Sequence, residues 1–178
     1  TAYLMSDGRL VKTRRPANVS LDTIWAGGGG DEIAIVDWDN NELWSYKLNN
    51  GKERLHHDIK VMPNGNILAI AWENLSKEAA IDLGRDPALL SQDKLWPDFI
   101  FEINPTTNQI IWEWHIIDHL VQDFDSTKPN FGTVKDHPEL VNLNYDTSNG
   151  AADWLHSNAL DYNPDLDQIL LSVPTFSE

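Results

Sequence analysis

The 178-residue sequence contains no cysteine. Disulfide bonds, thiolate metal ligands and a cysteine nucleophile are therefore excluded, but the compartment stays open, since exported proteins can fold without disulfides. The sequence also lacks an apolar run near the roughly 20 residues that a membrane-spanning helix needs, so we expect no membrane span. Basic residues are few, with 13 Lys and Arg against 28 Asp and Glu and a net charge of −15. We expect no nucleic-acid partner, because binding a phosphate backbone requires a basic surface.

What the sequence does contain is typical of one folded domain. Hydrophobic residues make up 41% of it and charged residues 23%, so extensive disorder is not expected. The first stretch, TAYLMSDGRLVKTRR, reads as a strand, a turn and a strand rather than as a signal peptide. The last stretch, ILLSVPTFSE, stops just after a strand. We therefore expect residues 1–178 to be part of a single domain that is truncated at both ends.

Five hairpins with similar turns follow one another along the chain. Each joins two β-branched or aromatic runs through a turn rich in Pro, Asn, Asp and Gly. The predicted turns lie at residues 6–8, 39–41, 63–66, 104–108 and 163–167. Such a series predicts an all-β fold, either a sandwich, a barrel or a propeller. A β-propeller fits best, because the repeat is a four-stranded sheet, and this chain would cover two to three blades.

Two insertions interrupt the hairpins. Residues 74–96 contain helix formers, with Ser76 as N-cap and a break at Gly84 and Pro87. Residues 118–153 are polar and irregular, and a loop of this length is usually functional or disordered. The glycine run at residues 27–30 reads as a flexible loop, since it lacks the GxGxxG spacing of a dinucleotide site.

Two stretches carry histidines at the head of an apolar hairpin, ERLHHDIKVMPNGNILAIAW and GAADWLHSNALDYNPDLDQILLSV. Alternation along the first predicted strand places His57 on the face of Ile59 and His56 on the opposite face, and along the second it places His156 and Asn158 on one face. If each strand is the innermost of its sheet, the histidines converge on a polar channel. Such a cluster suits acid–base or nucleophilic chemistry.

Structural roles are the alternative for all these groups. A histidine at a strand start often only hydrogen-bonds a neighbouring turn, and for His115, His119 and His137 we favour that interpretation. Three histidines could also bind a metal, but their spacing and the nearby carboxylates do not support it. The Asp-rich turn NPDLDQ lacks the loop pattern of a calcium site. Packing between sheets, rather than sugar stacking, is the expected role of five tryptophans: Trp38, Trp44, Trp72, Trp112 and Trp114.

Taken together, HHDIKVMPNGNILAIAWE and DWLHSNALDYNPDLDQILLSV resemble the bacterial arylsulfotransferase family, and the resemblance spans nearly the whole chain. It implies a six-bladed β-propeller, periplasmic or extracellular, with its site at the central channel. Family members move a sulfuryl group from an aryl sulfate donor to a phenolic acceptor through a histidine intermediate. They use no nucleotide donor, and the resemblance implies no other cofactor.

The resemblance also assigns residues. The pair His56 and His57 matches the first channel histidine of the family, with His57 the preferred member, while His156 matches the second and Asn158 a nearby polar group. Both histidines would hold the sulfuryl oxygens or protonate the leaving oxygen. The covalent nucleophile is expected in a later blade, beyond residue 178. Pro174 stands where active members have an arginine that clamps the sulfuryl group, and proline offers neither charge nor donor.

Other functions stay open at this point. A non-catalytic propeller could bind a ligand or a protein partner through its channel face and long loops, because fold does not fix function. A quinone-dependent dehydrogenase propeller is a weaker candidate, since the tryptophan-docking signature of its repeats is missing. A homo-oligomer is compatible with each of these interpretations.

Overall fold

The computed structural model describes residues 1–15, 24 and 26–177. The first sheet is an antiparallel meander whose four strands follow chain order: β1 (Ala2–Leu4), β2 (Leu10–Arg14), β3 (Glu32–Val36) and β4 (Glu42–Lys47). Turn chemistry explains why each strand stops. In the β3–β4 turn, for example, the Asp37 side chain accepts from the backbone N–H groups of Asp39 and Asn41, which closes the chain on itself.

The second sheet repeats this plan around an insertion. Its strands, again antiparallel and in chain order, are β5 (Glu53–Val61), β6 (Ile67–Glu73), β9 (Asp98–Asn104) and β10 (Gln109–His115). Between β6 and β9 lie β7 (Leu75–Ser76), helix α1 (Lys77–Asp82) and β8 (Lys94–Leu95). The predicted cap is confirmed, since the Ser76 hydroxyl accepts from the Ala79 N–H at 3.2 Å. Gly84, at φ +100°, then ends the helical region.

The third unit is the hairpin of β13 (Ala159–Asn163) and β14 (Gln168–Ser172). The second insertion precedes it and is ordered, with β11 (Leu120–Val121) parallel to β12 (Val141–Asn142). Short 3₁₀ turns complete the chain at Pro87–Leu89, Ile116–Asp118, Val134–Asp136 and Pro174–Phe176. All five predicted hairpins, and the all-β fold, are thus confirmed. In the described part of the chain no helix is long and apolar enough to cross a membrane.

The three units stack face to face, with the second sheet in the middle. Alternate residues of β6 enter two different cores: Ile67 packs with residues of the first sheet, and Leu68 packs with Leu160 of β13. Residues 67–72 are all buried, which explains why this strand reads as an unbroken apolar run rather than an alternating one. The predicted packing between sheets is confirmed for Trp44 and Trp114, which lie against the two cores, and is wrong for Trp38, which is 86% exposed.

The first strands of the three units lie side by side at one edge of the stack. Asp58 of β5 joins them, because its Oδ1 accepts from the Tyr3 hydroxyl of β1 at 2.8 Å and its Oδ2 from the Leu160 N–H of β13 at 3.0 Å. β1 and β5 are the edge strands of their sheets. Side chains at the start of β5 and before β13 are therefore brought to a shared edge.

Candidate active site

Three imidazoles meet at this shared edge, two from adjacent residues of β5 and one from a distant segment of the chain. The ring of His57 lies at 4.6 Å from the ring of His156, centroid to centroid, and nearly perpendicular to it. The Nδ1 atoms of His56 and His57 are 3.0 Å apart, a hydrogen-bond distance. The predicted convergence of His57 and His156 is thus present in the structure, and His56 touches His57 directly.

Irregular backbone, rather than strand alternation, aims the rings. His57 has φ 48° and His156 has φ 54°, both in the left-handed region that non-glycine residues seldom adopt. The β5–β6 register jumps between Leu55 and Ile59, where β5 carries extra residues, and such bulges re-aim side chains. The expectation that His57 lies on the face of Ile59 is therefore wrong: Ile59 enters the core, whereas His57 points to His156.

The expectation that His156 and Asn158 share a strand face is also wrong, because β13 begins at Ala159 and His156 lies in the preceding loop. Asn158 is exposed. Its backbone N–H donates to the Ser172 carbonyl at 3.1 Å, and none of its described contacts joins it to the three histidines.

A buried aromatic and a buried carboxylate hold His56. The ring stacks on Trp72 at 3.9 Å with an interplanar angle of 6°. Its Nε2 lies 3.3 Å from Asp98 Oδ1, close enough for an ion pair though not in ideal hydrogen-bond geometry. Trp72 and Asp98 are register partners across β6 and β9. The two neighbours of His56 are therefore set by one cross-strand pair.

A second carboxylate orients His156. Asp153 Oδ2 contacts His156 Nδ1 in a short hydrogen bond, and Asp153 Oδ1 accepts from the Trp72 indole N–H at 3.0 Å. Because a carboxylate accepts, Nδ1 of His156 carries the proton and Nε2 is the nitrogen left for a substrate. The His156 side chain is 30% exposed, against 11% for Asp153. The site thus offers a carboxylate–histidine pair whose outer nitrogen is accessible.

The glycine run packs on these rings and is not the free loop that the sequence suggested. It runs beside β5, since the His57 N–H donates to the Gly28 carbonyl and the Gly30 N–H to the Leu55 carbonyl, both at 2.8 Å. A Cβ added to Gly28 would lie 2.2 Å from both Cε1 and Nε2 of His57. Arg54 fastens the run, donating from Nε to the Gly30 carbonyl at 2.9 Å. Glycine is required at position 28 by both its φ of +78° and this close approach.

Burial sets the charge state of the site. Burial, together with the neighbouring rings of His56 and His156, lowers the pKa of His57 to about 4. Burial also raises the pKa of the Asp153 carboxyl, while the contact with His156 acts in the opposite direction. His57 is therefore a neutral imidazole at pH 7, with a lone pair on one nitrogen.

The other sequence predictions fall outside this group of residues. His115 stacks on Phe99, and His137 pairs with Glu139, as the structural interpretation predicts. Pro174 is exposed and opens a 3₁₀ turn. Neighbouring Thr175 donates to the Leu155 carbonyl at 2.6 Å, which brings the turn beside the segment that carries His156. Within residues 1–15, 24 and 26–177 no three His, Asp or Glu side chains are arranged to hold a metal ion.

Sequence reasoning missed four residues of the site: Gly28, Trp72, Asp98 and Asp153. A local signal existed for Asp153, which precedes His156 by three residues in the quoted motif DWLH. Asp98 stands 42 residues after His56 in the printed sequence, and its role depends on the pairing of β6 with β9. No local pattern could have revealed it.

Comparison with known proteins gives one match. The sequence model of the family described as Arylsulfotransferase (ASST) matches residues 5–176, nearly the whole chain. No curated protein and no solved structure matches the chain.

Proposed function

The chain belongs to the arylsulfotransferase family, and from that premise we propose that its histidine cluster serves the transfer of a sulfuryl group from an aryl sulfate to a phenolic acceptor. The proposal includes a covalent histidine intermediate and no nucleotide donor. One observation carries it above all: His57 and His156, 99 positions apart in the printed sequence, bring their rings within 4.6 Å.

The reaction makes demands that these residues can meet. Breaking the sulfur–oxygen bond of the donor leaves an aryl oxyanion, which must receive a proton, and the acceptor phenol must later lose one. The developing charge on the sulfuryl oxygens calls for donors fixed in advance. The Asp153 carboxylate can stabilise the positive charge of a protonated His156. In this proposal His156 holds a sulfuryl oxygen or protonates the leaving oxygen. His57, which is neutral, accepts a proton from a substrate hydroxyl or returns one to the leaving oxygen.

The nucleophile is the part of the proposal that comes from the family resemblance. It would be a further histidine beyond residue 178, attacking sulfur while the aryl oxygen departs and later releasing the sulfuryl group to the acceptor. His57 and His156 would surround that reaction without bonding to sulfur. We also propose a six-bladed propeller as the complete architecture and a periplasmic or extracellular location, which fractionation of the producing cell would test.

Pro174 sets this chain apart from the family pattern. A clamp arginine next to the segment of His156 would donate to the sulfuryl oxygens, and a proline cannot. Losing one such donor costs about 10²- to 10³-fold in rate where it has been measured. The proline at this position favours a second candidate function, that of a non-catalytic family member that binds a ligand or protein partner through the same face.

Turnover of 4-nitrophenyl sulfate with phenol as acceptor distinguishes the two functions, using the full-length polypeptide that contains this chain. We expect release of 4-nitrophenol that requires the acceptor, and a severe loss in His156→Ala. The matched control is His137→Ala, since His137 pairs with Glu139 on the surface and lies outside the cluster. Absence of turnover with every aryl sulfate tried would favour the binding function.

A further inference from the structure

His57 poses a problem for proton transfer. Its ring is half-buried and next to two other imidazoles, so a positive charge placed on it is disfavoured. No carboxylate in the described part of the chain contacts it directly, whereas His156 has Asp153. A group that must take up and return a proton needs somewhere to put the accompanying charge.

His56 and Asp98 offer that place. The His56 side chain is 0% exposed and that of Asp98 1% exposed. His56 Nε2 and Asp98 Oδ1 have no hydrogen-bond partner among the described residues, yet they lie 3.3 Å from each other. A proton on Nε2 gives both buried atoms a favourable contact, while a bare Nε2 would place two acceptors together. We therefore assign the Nε2–H form to His56.

This assignment fixes His57 in turn. If neutral His56 carries its proton on Nε2, its Nδ1 is an acceptor, so the 3.0 Å contact between the two Nδ1 atoms requires His57 to donate from Nδ1. The lone pair of His57 then resides on Nε2. That nitrogen has no hydrogen bond to the described residues and is not one of their buried unpartnered atoms, so it is open to approach.

Gly28 does not block this nitrogen. The carbon that would be added there lies 2.2, 2.2 and 2.5 Å from Cε1, Nε2 and Cδ2 of His57. Such similar distances place it over the face of the ring. Gly28 therefore lies over the ring face and not along the in-plane direction of the Nε2 lone pair.

We propose that Asp98, His56 and His57 form a proton relay that allows His57 to accept or return a proton while the positive charge resides on His56. The oxygen of a bound hydroxyl gives its proton to His57 Nε2, and His57 passes its Nδ1 proton to His56 Nδ1. His57 stays neutral, His56 becomes an imidazolium beside the Asp98 carboxylate, and the hydroxyl becomes an oxyanion. The reverse sequence delivers a proton to a leaving oxyanion. The catalytic use of the relay rests on the proposed function, with His57 as the residue that touches substrate and with His56 and Asp98 as positioning residues.

The tautomers can be measured without substrate or mutation. In the full-length protein labelled with ¹⁵N-histidine, near neutral pH, we expect His57 to be protonated on Nδ1 and bare on Nε2, and His56 to be protonated on Nε2. A His57 protonated on Nε2 with His56 neutral would overturn the relay. This result does not depend on whether aryl sulfates are turned over.

Asp98→Asn adds a functional test. In the wild type, Asp98 Oδ2 accepts from the Ser157 N–H at 2.9 Å. The carboxamide oxygen of the variant can still accept this hydrogen bond, while its NH₂ group donates to His56 Nε2. That donation moves the His56 proton to Nδ1 and forces His57 into the Nε2–H form. A comparable tautomer reversal in a serine protease lowers kcat about 10⁴-fold with geometry intact, and we expect a loss of about 10³- to 10⁴-fold in kcat with little change in KM.

Asp58→Asn is the matched control. Asp58 is also buried, on β5, and accepts from a hydroxyl and a backbone N–H. No hydrogen bond among the described residues joins it to the three rings, and it acts on His57 only through its charge. It should leave the His57 tautomer unchanged and kcat within a few-fold of wild type. If the His57 tautomer is as predicted but the wild type shows no turnover, only the proposed function is contradicted. Wild-type turnover that Asp98→Asn leaves intact would contradict the relay alone.

Discussion

Gly28→Ala tests whether the position of His57 matters for activity. The change adds one carbon, and that carbon would lie 2.2 Å from the Cε1 and Nε2 atoms of His57, whereas ordinary contact begins at 3.4 Å. The ring or the loop must therefore shift by about 1.2 Å, the difference between these two distances. A misplacement of about 1 Å in an active site can cost about 10²-fold in rate. We expect kcat to fall by about that factor or more.

Stability must be separated from this effect. Gly28 has φ +78°, and a non-glycine residue in the left-handed region costs about 1–2 kcal/mol. Gly8→Ala shares that cost at φ +87° but adds its carbon where nothing lies within 4 Å. The two variants should therefore lose similar stability from backbone strain, and the additional losses of Gly28→Ala come from the contact with His57.

The assay is turnover of 4-nitrophenyl sulfate at saturating phenol, measured beside thermal unfolding for both variants. Gly27→Ala is a second control, because its added carbon would lie 3.9 Å from His156 Cε1, an ordinary contact. If the activity of Gly28→Ala stays within a few-fold of that of Gly8→Ala, catalysis does not depend on the observed position of the His57 ring.

Two further predictions concern stability. Arg54→Met should cost about 3–5 kcal/mol, because it removes one partner of the buried ion pair in which Arg54 Nη2 lies 3.1 Å from Asp31 Oδ1. Chemical denaturation should show this loss and little change in Arg9→Met, whose pair with Asp7 is exposed; equal effects would contradict the anchoring role. Folding holds the pKa of His57 at about 4, below the ordinary histidine value of 6.5, so the unfolded chain takes up the proton first as pH falls. The melting temperature should therefore decline as the pH falls from 6.5 towards 4, and it should decline less steeply in His57→Gln. Parallel melting curves for the wild type and the variant would show that folding does not lower the pKa of His57.

Local patterns predicted the hairpins and the helix because turns and caps are decided by neighbours in sequence. The turn at residues 63–66 and the Ser76 cap each involve a few adjacent residues, and both are present. Strand position and family resemblance both predicted that His57 and His156 share one site, and the structure supplies the contact between their rings.

The details that failed depend on tertiary structure. Strand alternation misplaced His57 because it assumes an unbroken pleat, whereas β5 has a bulge between Leu55 and Ile59. The glycine run looked free because nothing in its composition shows that β5 packs beside it. Asp98 reaches His56 through strand pairing, and a contact across 42 positions leaves no periodic signal.

The claim on which the rest depends is that the imidazoles of His57 and His156 touch. The full-length protein, labelled on histidine, allows a direct test by nuclear Overhauser measurements between the ring protons of these two residues. We expect a cross-peak between the His57 and His156 rings that disappears in His156→Ala. Resolved signals from both rings with no cross-peak between them would contradict it.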